Sequence, residues 1–239
     1  MHRASIAALP SVHLWRWPLD LPATDTATLR ALLSVDELAR ADRFALPGHA
    51  ARFVAAHGRL RQLLGHLVGQ PPAALVFCAS TGGKPELAAG GLRFSLSHTA
   101  DLAALAVAPF EVGLDIEMIR PIDRDLPEQF FCRQERDALR ALPEPAWLAA
   151  FFRCWTRKEA VSKALGLGLA LPLDQFGVSC GATEPAGLTW LAGAPDAPEI
   201  WQMEHLEVAP GYIGAVAAAC RGWRVVWQSN PWDAKGISQ

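Results

Sequence analysis

Two stretches of helical periodicity, each followed by short strand-like runs, constrain this chain more than any other feature. In the first, from about His49 to Val68, apolar Phe53, Ala56, Leu60, Leu63, Leu64 and Leu67 recur on one helix face. Arg52, Arg59 and Arg61 lie off that stripe. The second runs from Trp147 to Leu165 and is stopped by Gly166, a residue suited to closing a helix. A short helix precedes each. Val35 to Phe44 starts with Ser34 as cap and Glu37 at the capping-box position, and it carries Arg40 and Arg43 before Pro47-Gly48 breaks it. Glu135 to Leu142 is the other, ended by Pro143 and Pro145.

The strand patterns surround these helices. His13 to Trp17 alternates and stops at Pro18. Leu75 to Cys78, Leu92 to Ser97, Leu102 to Pro109 and Val112 to Glu117 follow the first long helix, with connections short enough for antiparallel pairing in one small sheet. Gln175 to Ser179, Ile200 to Val208, Tyr212 to Cys220 and Trp223 to Trp227 follow the second, around a Gly/Pro/Ala-rich loop from Gly181 to Pro198. Arg52 and Arg153 stand in register with Leu64-Gly65 and Leu165-Gly166 at a common offset. The reading is an α+β fold of two similar halves, residues 1–120 and 121–239. They are related by internal duplication (a pseudo-twofold), each a long helix packed on a small, mostly antiparallel sheet. No low-complexity linker separates them, so they are expected to pack closely; the residues after Pro231 read as a loose tail.

Composition narrows the classes. At 239 residues with half of them hydrophobic, the chain can bury a sizeable core. A net charge of −2 argues against a broad nucleic-acid or membrane footprint. Cys78, Cys132, Cys154, Cys180 and Cys220 are scattered and form no Cys-x-x-Cys pair, so neither a disulfide framework nor a zinc site is indicated. The N-terminal apolar run is short and ends at Pro10, and the longest apolar stretches are about half a membrane span. A soluble cytoplasmic protein is expected.

Chemistry concentrates in Gly113-Leu114-Asp115-Ile116-Glu117. In a strand Asp115 and Glu117 share one face, about 7 Å apart, while Leu114 and Ile116 take the other. Two such carboxylates repel unless a cation sits between them, and hard oxygens suit magnesium. From this stretch alone, an edge strand with its polar face in solvent reads equally well. On the second long helix Glu159 and Lys163 are four apart and share a face, which is also the spacing of an ordinary surface ion pair. Their neighbours Trp155, Ala160, Val161, Ala164 and Leu165 make the helix mostly buried, so the two charges face something polar inside. Gly82-Gly83-Lys84-Pro85 reads as a turn with a lysine at its tip, and His98 follows a strand between Ser97 and Thr99, with Asp101 beyond.

Taken in order, Gly-Lys-Pro, Phe-x-x-Ser-His, Val-Gly-Leu-Asp-Ile-Glu and Trp-Thr-x-Lys-Glu-Ala-x-x-Lys resemble the 4′-phosphopantetheinyl transferases of the single-chain, surfactin-synthetase-activating type. The resemblance runs from about Ser34 to Phe176. It implies magnesium-dependent transfer of the phosphopantetheine arm of coenzyme A to a serine of an apo acyl or peptidyl carrier protein, releasing adenosine 3′,5′-bisphosphate. Asp115, Glu117 and Glu159 are the implied ligands of magnesium, or of manganese in its place, and Glu159 and Lys163 the catalytic pair. Arg52, Gly83, Lys84, Pro85, Ser97, His98, Lys158 and Lys163 are the implied coenzyme A contacts. A monomer is expected, because duplication supplies the interface a half-length relative must build by oligomerising. Ser95 stands where the family often has Asn, and Thr99 where it often has Ser. Glu37 falls where a relative can carry a basic residue toward the 3′-phosphate, with Arg40 and Arg43 as substitutes. Two other classes compete: a metal-dependent hydrolase of a nucleotide pyrophosphate, and a non-catalytic carrier-protein-binding module.

Overall fold

Prolines open both long helices and glycines close them. The computed structural model describes residues 10–167 and 171–233, so residues 234–239 of the expected tail lie outside the described residues. In chain order come β1 (Ser11–Pro18), α1 (Ala23–Arg30), α2 (Val35–Ala41), α3 (Pro47–Val68), β2 (Phe77–Ala79), β3 (Pro85–Leu87), β4 (Arg93–Thr99), β5 (Leu102–Ala108) and β6 (Gly113–Met118). Then follow α4 (Leu126–Phe130), α5 (Arg133–Arg140), α6 (Glu144–Leu165), β7 (Phe176–Val178), β8 (Leu188–Leu191), α7 (Ala197–Ile200), β9 (Gln202–Ala209), β10 (Tyr212–Ala218) and β11 (Arg224–Trp227). The motif order therefore folds as an α+β chain.

Helices α3 and α6 are each 22 residues long, with Pro47 and Pro145 in their first turns and Gly69 (φ 67°) and Gly166 (φ 66°) in the left-handed conformation at their ends. Both start earlier than the periodicity predicts. Pro47 and Pro145 act as helix openers and not as the expected breakers, because a first-turn proline has no backbone bond to lose and its fixed φ suits the helix. The expected register between the halves is not the register of the helix ends. Gly65 is buried inside α3 against the Gln70 carbonyl and Pro72, whereas Gly166 caps α6.

The strands form a four-stranded sheet in the order β11-β1-β5-β4 and a three-stranded sheet in the order β6-β10-β9, with two small hairpins, β2-β3 and β7-β8. Neighbours are antiparallel except β1 and β11, which run parallel. The single sheet expected for Leu102 to Glu117 is thus corrected: β5 stays beside β4, while β6 leaves to pair with β10. Strands cross the 120/121 line in both directions, β6 joining β10 and β11 joining β1. The loop expected from Gly181 to Pro198 holds β8, whose Leu188 and Leu191 pair back on β7.

Alternation along the strands builds the layers. On β1, Trp15 and Trp17 face the core shared with Phe53, Leu60 and Leu64 of α3, and Val12 and Leu14 face the other way. On β5, Leu105 and Val107 join the α3 core while Ala104, Ala106 and Ala108 join Val12 and Leu14. That second layer also contains Leu114, Ile116, Leu206, Val208 and Val216 of the other sheet. The two sheets therefore pack face to face, with alanines letting them approach. Helix α6 covers the outer face of the smaller sheet through Phe151, Ala160, Val161, Ile213 and Ala215. Leu114 and Ile116 point into the inter-sheet layer, so Asp115 and Glu117 must point to the α6 side, as strand alternation predicts. Among the described residues no helix is long and apolar enough to cross a membrane.

Candidate active site

Close approach sets the site. A Cβ on Gly113 would lie 1.9 Å from the Ala160 carbonyl oxygen and 2.4 Å from the Ala164 nitrogen, so only glycine lets α6 settle on the start of β6. That contact fixes Glu159 and Lys163 over Asp115. A second glycine does the same for the turn below: a Cβ on Gly82 would lie 1.9 Å from the Gly166 carbonyl oxygen. The turn is thereby docked against the C-terminal end of α6, with Gly83 (φ 86°) taking the left-handed position.

Strands β4 and β6 are edge strands of different sheets, and side chains stitch them. The Ser95 hydroxyl accepts from the Leu114 backbone N–H at 3.0 Å, and the Ser97 hydroxyl from Ile116 N–H at 3.2 Å. Thr99 donates to Glu117 Oε2 at 2.9 Å. Every second residue of β4 is therefore a hydroxyl for a structural reason: it satisfies an edge that no neighbouring strand covers. Ser95 and Thr99, the departures from the resembled pattern, keep that capacity.

At the centre Ser97 donates to Asp115 Oδ1 at 2.8 Å, and Lys163 Nζ donates to the same oxygen at 2.6 Å and to Ser97 Oγ at 3.2 Å. Ser97 and Asp115 are buried, 6% and 4% exposed, while Lys163 keeps 30% of its side chain open. The Ser97 hydroxyl has then used its one donor and both acceptor sites. It orients Asp115 and Lys163 and has nothing left for a phosphate, which corrects the contact implied for it. Asp115 Oδ2 is buried with no hydrogen-bond partner. Burial, then Asp115, raise the pKa values of both Glu117 and Glu159; Thr99, Lys163 and Arg120 oppose this at Glu117, and Lys163 at Glu159. Three carboxylates with one lysine leave excess negative charge.

Around this centre lies a cationic wall. Lys84 reaches back to the base of β6, donating to Glu111 Oε2 at 3.0 Å and to the Val112 carbonyl at 2.9 Å. With Phe94, Leu96, Lys163 and Gly166 it lines a cavity of about 200 Å³, to which Gly83 and Pro85 also contribute. His98 is exposed, yet surrounding protein, followed by the positive charges of His57, Lys163 and Arg40, lowers its pKa to about 4. All three neighbours act in the same direction, so the ring is neutral at pH 7. His57 stacks on Phe53 at 4.1 Å between centroids, and the Arg40 guanidinium lies 5.2 Å over the same ring.

A family model for the 4′-phosphopantetheinyl transferase superfamily matches residues 111–219, the span holding Asp115, Glu117, Glu159 and Lys163. Over 220 residues the chain is 41% identical to 4′-phosphopantetheinyl transferase HetI of Nostoc sp., covering 89% of this chain and 90% of that protein. The chain belongs to this superfamily. It is also 43% identical over 111 residues to the transferase AcpT of Salmonella typhimurium, covering 45% of this chain and 55% of that protein. With Sfp of Bacillus subtilis the identity is 32% over 126 residues, covering 53% of this chain and 54% of that protein. Superfamily membership favours the transferase over both the hydrolase and the binding module.

Two residues implied as contacts of this superfamily's substrate are engaged elsewhere. Arg52 is held by Asp20 through two bonds, at 2.7 and 2.8 Å. Lys158 is fully buried on the opposite side of α6, where Nζ donates to Glu135 Oε1 and the Phe176 carbonyl, each at 2.7 Å. Adjacent helix positions are 100° apart, so Lys158 cannot share the Glu159 face.

Arg61 is a further correction: it is 1% exposed, inside the α3 stripe and not off it. It donates to Glu37 Oε2 at 2.7 Å and to the Pro72 and Leu75 carbonyls at 3.1 and 3.0 Å. Glu37 thus turns inward to Arg61 and His57, and Arg40 is the helix α2 cation beside His98. His57 went unnoticed in the sequence, though its i,i+4 spacing from Phe53 was a usable signal. Burial alone would raise the Glu37 pKa; hydrogen bonds from His57, the Ser34 backbone and Arg61 overcome it and lower the value to about 2. A carboxylate with a depressed folded-state pKa stabilises the fold above its unfolded value and loses that contribution as pH falls toward the folded one. The Glu37 contribution, about 2–3 kcal/mol, is therefore expected at neutral pH and lost between roughly pH 4.5 and 2. Urea unfolding of the parent and of Glu37→Gln checks this: the gap between them should shrink as pH drops through that window, and a constant gap contradicts it.

Proposed function

We propose that this chain moves the 4′-phosphopantetheine arm of coenzyme A onto the serine hydroxyl of an apo carrier protein, releasing adenosine 3′,5′-bisphosphate. The observation that carries the reading is the Ser97–Asp115–Lys163 centre, locked between two sheets and one helix with Glu159 beside it. In the reaction the serine oxygen bonds to the phosphorus bearing pantetheine, and the bond from that phosphorus to the bridging oxygen breaks. The serine proton needs an acceptor, and the departing phosphate needs neutralising.

Glu159 supplies the acceptor: burial and then Asp115 raise its pKa, which makes it a better base than a free carboxylate. Lys163, anchored through Asp115 and Ser97, supplies positive charge to the pyrophosphate. Lys84 and His98 with Arg40 flank the nucleotide side. The donor set also fits magnesium. Asp115 has a buried oxygen without a partner, Glu117 and Glu159 are raised by Asp115, and all are hard oxygens. Among the described residues no group of three or more His, Cys, Asp or Glu side chains forms a ready-made metal cage. Magnesium completes its shell with water and phosphate oxygens, so it does not need a full protein cage. Asp115, Glu117 and Glu159 would hold it, and when bound it would add neutralising charge at the pyrophosphate.

The deciding test incubates apo carrier proteins with coenzyme A, magnesium and the chain, and reads carrier mass. A gain of one phosphopantetheine arm supports the reading. Cleavage of coenzyme A without a carrier, and no carrier gain, would mean hydrolysis. The mapping of the pocket has its own check. A charge-assisted bond to phosphate is worth about 1.5–3 kcal/mol, so His98→Ala is expected to raise the KM for coenzyme A roughly tenfold or more. Arg52→Ala, losing an exposed pair with Asp20, should stay within about twofold. The reverse order would place the nucleotide at Arg52.

A further inference from the structure

The register of the smaller sheet carries the argument to its other edge. His205 on β9 pairs with Ala215 on β10, and Ala215 pairs with Asp115 on β6. Directly opposed residues point to the same face, so His205 and Asp115 both lie on the α6 side, with only an alanine between their rows. Helix α6 serves the two edges of this sheet with different faces, residues two apart lying about 200° round the helix. The face with Glu159 and Lys163 serves the β6 edge, and the face with Arg153 and Arg157 lines the β9 edge.

There a second cavity opens, about 810 Å³ in volume, with Arg153, Arg157, His205 and Arg221 on its wall. This size suits a small organic ligand. Arg157 is 2% exposed; one of its terminal nitrogens donates to the Ser179 carbonyl at 2.6 Å and to Ser179 Oγ at 2.8 Å, and its Nε is buried without a partner. Arg153 donates to the Cys180 carbonyl at 3.1 Å. Among the described residues, none of these three arginines has an ion-pair partner. Among the described residues their hydrogen-bond acceptors are neutral oxygens. Arg153 and Arg157 are close enough to repel, and both also act on His205, after burial, to hold its pKa below the usual value. The wall also carries Glu184, Glu204 and Glu207. Glu184 is occupied by the Cys180 and Gly181 backbone N–H groups, and Glu204 and Glu207 are exposed on the edge strand, where water screens them. Arg157 is buried and Arg153 half-buried beside it, with Glu184 the one carboxylate that acts on Arg157 and no carboxylate bonded to either; two adjacent guanidinia of this kind suit a dianion.

We propose that this cavity binds a phosphate monoester, its dianionic phosphate held by Arg153 and Arg157 with Arg221 at the rim. Guanidinium forks match phosphate oxygens in pairs, and a phosphate monoester carries nearly two charges at neutral pH. The remaining volume takes the organic part. The site is separate from the Asp115–Lys163 centre and stands whether or not the transferase reading holds.

The test is calorimetric titration of the full chain with glycerol 3-phosphate and, separately, inorganic phosphate, without magnesium. It compares the parent with Lys163→Met, which disables the first centre, and with Arg153→Gln. Glycerol 3-phosphate binding is expected to persist in Lys163→Met and to weaken about tenfold or more in Arg153→Gln. Arg157 also braces Ser179, so it is not the variant of choice; if Arg153→Gln fails to fold, Arg221→Ala and His205→Ala carry the same comparison. Loss of all binding in Lys163→Met would place the phosphate in the catalytic centre and overturn the proposal. So would unchanged binding in Arg153→Gln, or no binding of either probe at millimolar concentration.

Discussion

Glu159→Gln is expected to lower the rate of carrier modification by about 10²–10⁴-fold, the usual cost of removing a general base. The amide keeps the shape of the side chain but loses both the proton acceptor and a metal-binding charge. Asp115→Asn is expected to differ in kind. Asp115 Oδ1 already receives Ser97 and Lys163, so the residue acts by holding the ammonium and by offering Oδ2 to a cation. Raising magnesium or manganese should therefore partly restore Asp115→Asn and leave Glu159→Gln low. The measurement is carrier modification against metal concentration for both variants at saturating coenzyme A. Full recovery of Glu159→Gln at high metal would make Glu159 a ligand only, with another group taking the serine proton. Parental rates in both variants would remove the carboxylate centre from catalysis altogether.

Lys158→Ala is expected to be among the most destabilising single changes in the chain. Its Nζ and the Glu135 carboxylate are 0% and 2% exposed, and the ammonium also lies 4.3 Å over the Phe176 ring. Glu135 Oε1 accepts from Val178 N–H at 2.8 Å as well, and Oε2 from Cys132 N–H at 3.0 Å. One ion pair thus ties α5, α6 and β7 together. Removing the lysine leaves a buried carboxylate without its counter-charge, a loss of about 3–5 kcal/mol, which corresponds to roughly 10 °C in Tm for a chain of this length. Removing both charges in Lys158→Met with Glu135→Gln should recover much of the loss, because the remaining carbonyl oxygen still serves a backbone N–H. Thermal unfolding of the single and double variants measures this, with the KM for coenzyme A alongside. Unchanged stability with a raised KM would return Lys158 to the substrate.

Much of the site was legible because it rests on local rules. Strand alternation put Asp115 and Glu117 on one face, and helical spacing put Glu159 and Lys163 on another. The residues misplaced from sequence were long cations. Arg61 and Lys158 are the kind of side chain that usually stays in water, and each is buried because a carboxylate far along the chain, Glu37 or Glu135, meets it there. Arg52 reads as a phosphate ligand until Asp20 is seen against it. Ser97 reads as a contact until its hydroxyl is seen to be fully used.

The sequence by itself determined the elements, their order, the shared faces and the superfamily motifs, because periodicity, turn residues and short spacings act over a few residues. Only the tertiary structure decided which strand edges meet. β6 could have completed a hairpin with β5, yet it pairs with β10, and β11 returns to β1. That choice depends on how well whole faces pack: the alanine layer between the sheets, the glycine contact under α6, and β4 hydroxyls that satisfy the open β6 edge. Those terms are sums over residues distant in sequence, so no local pattern records them. The partners of each buried charge follow from the same choice.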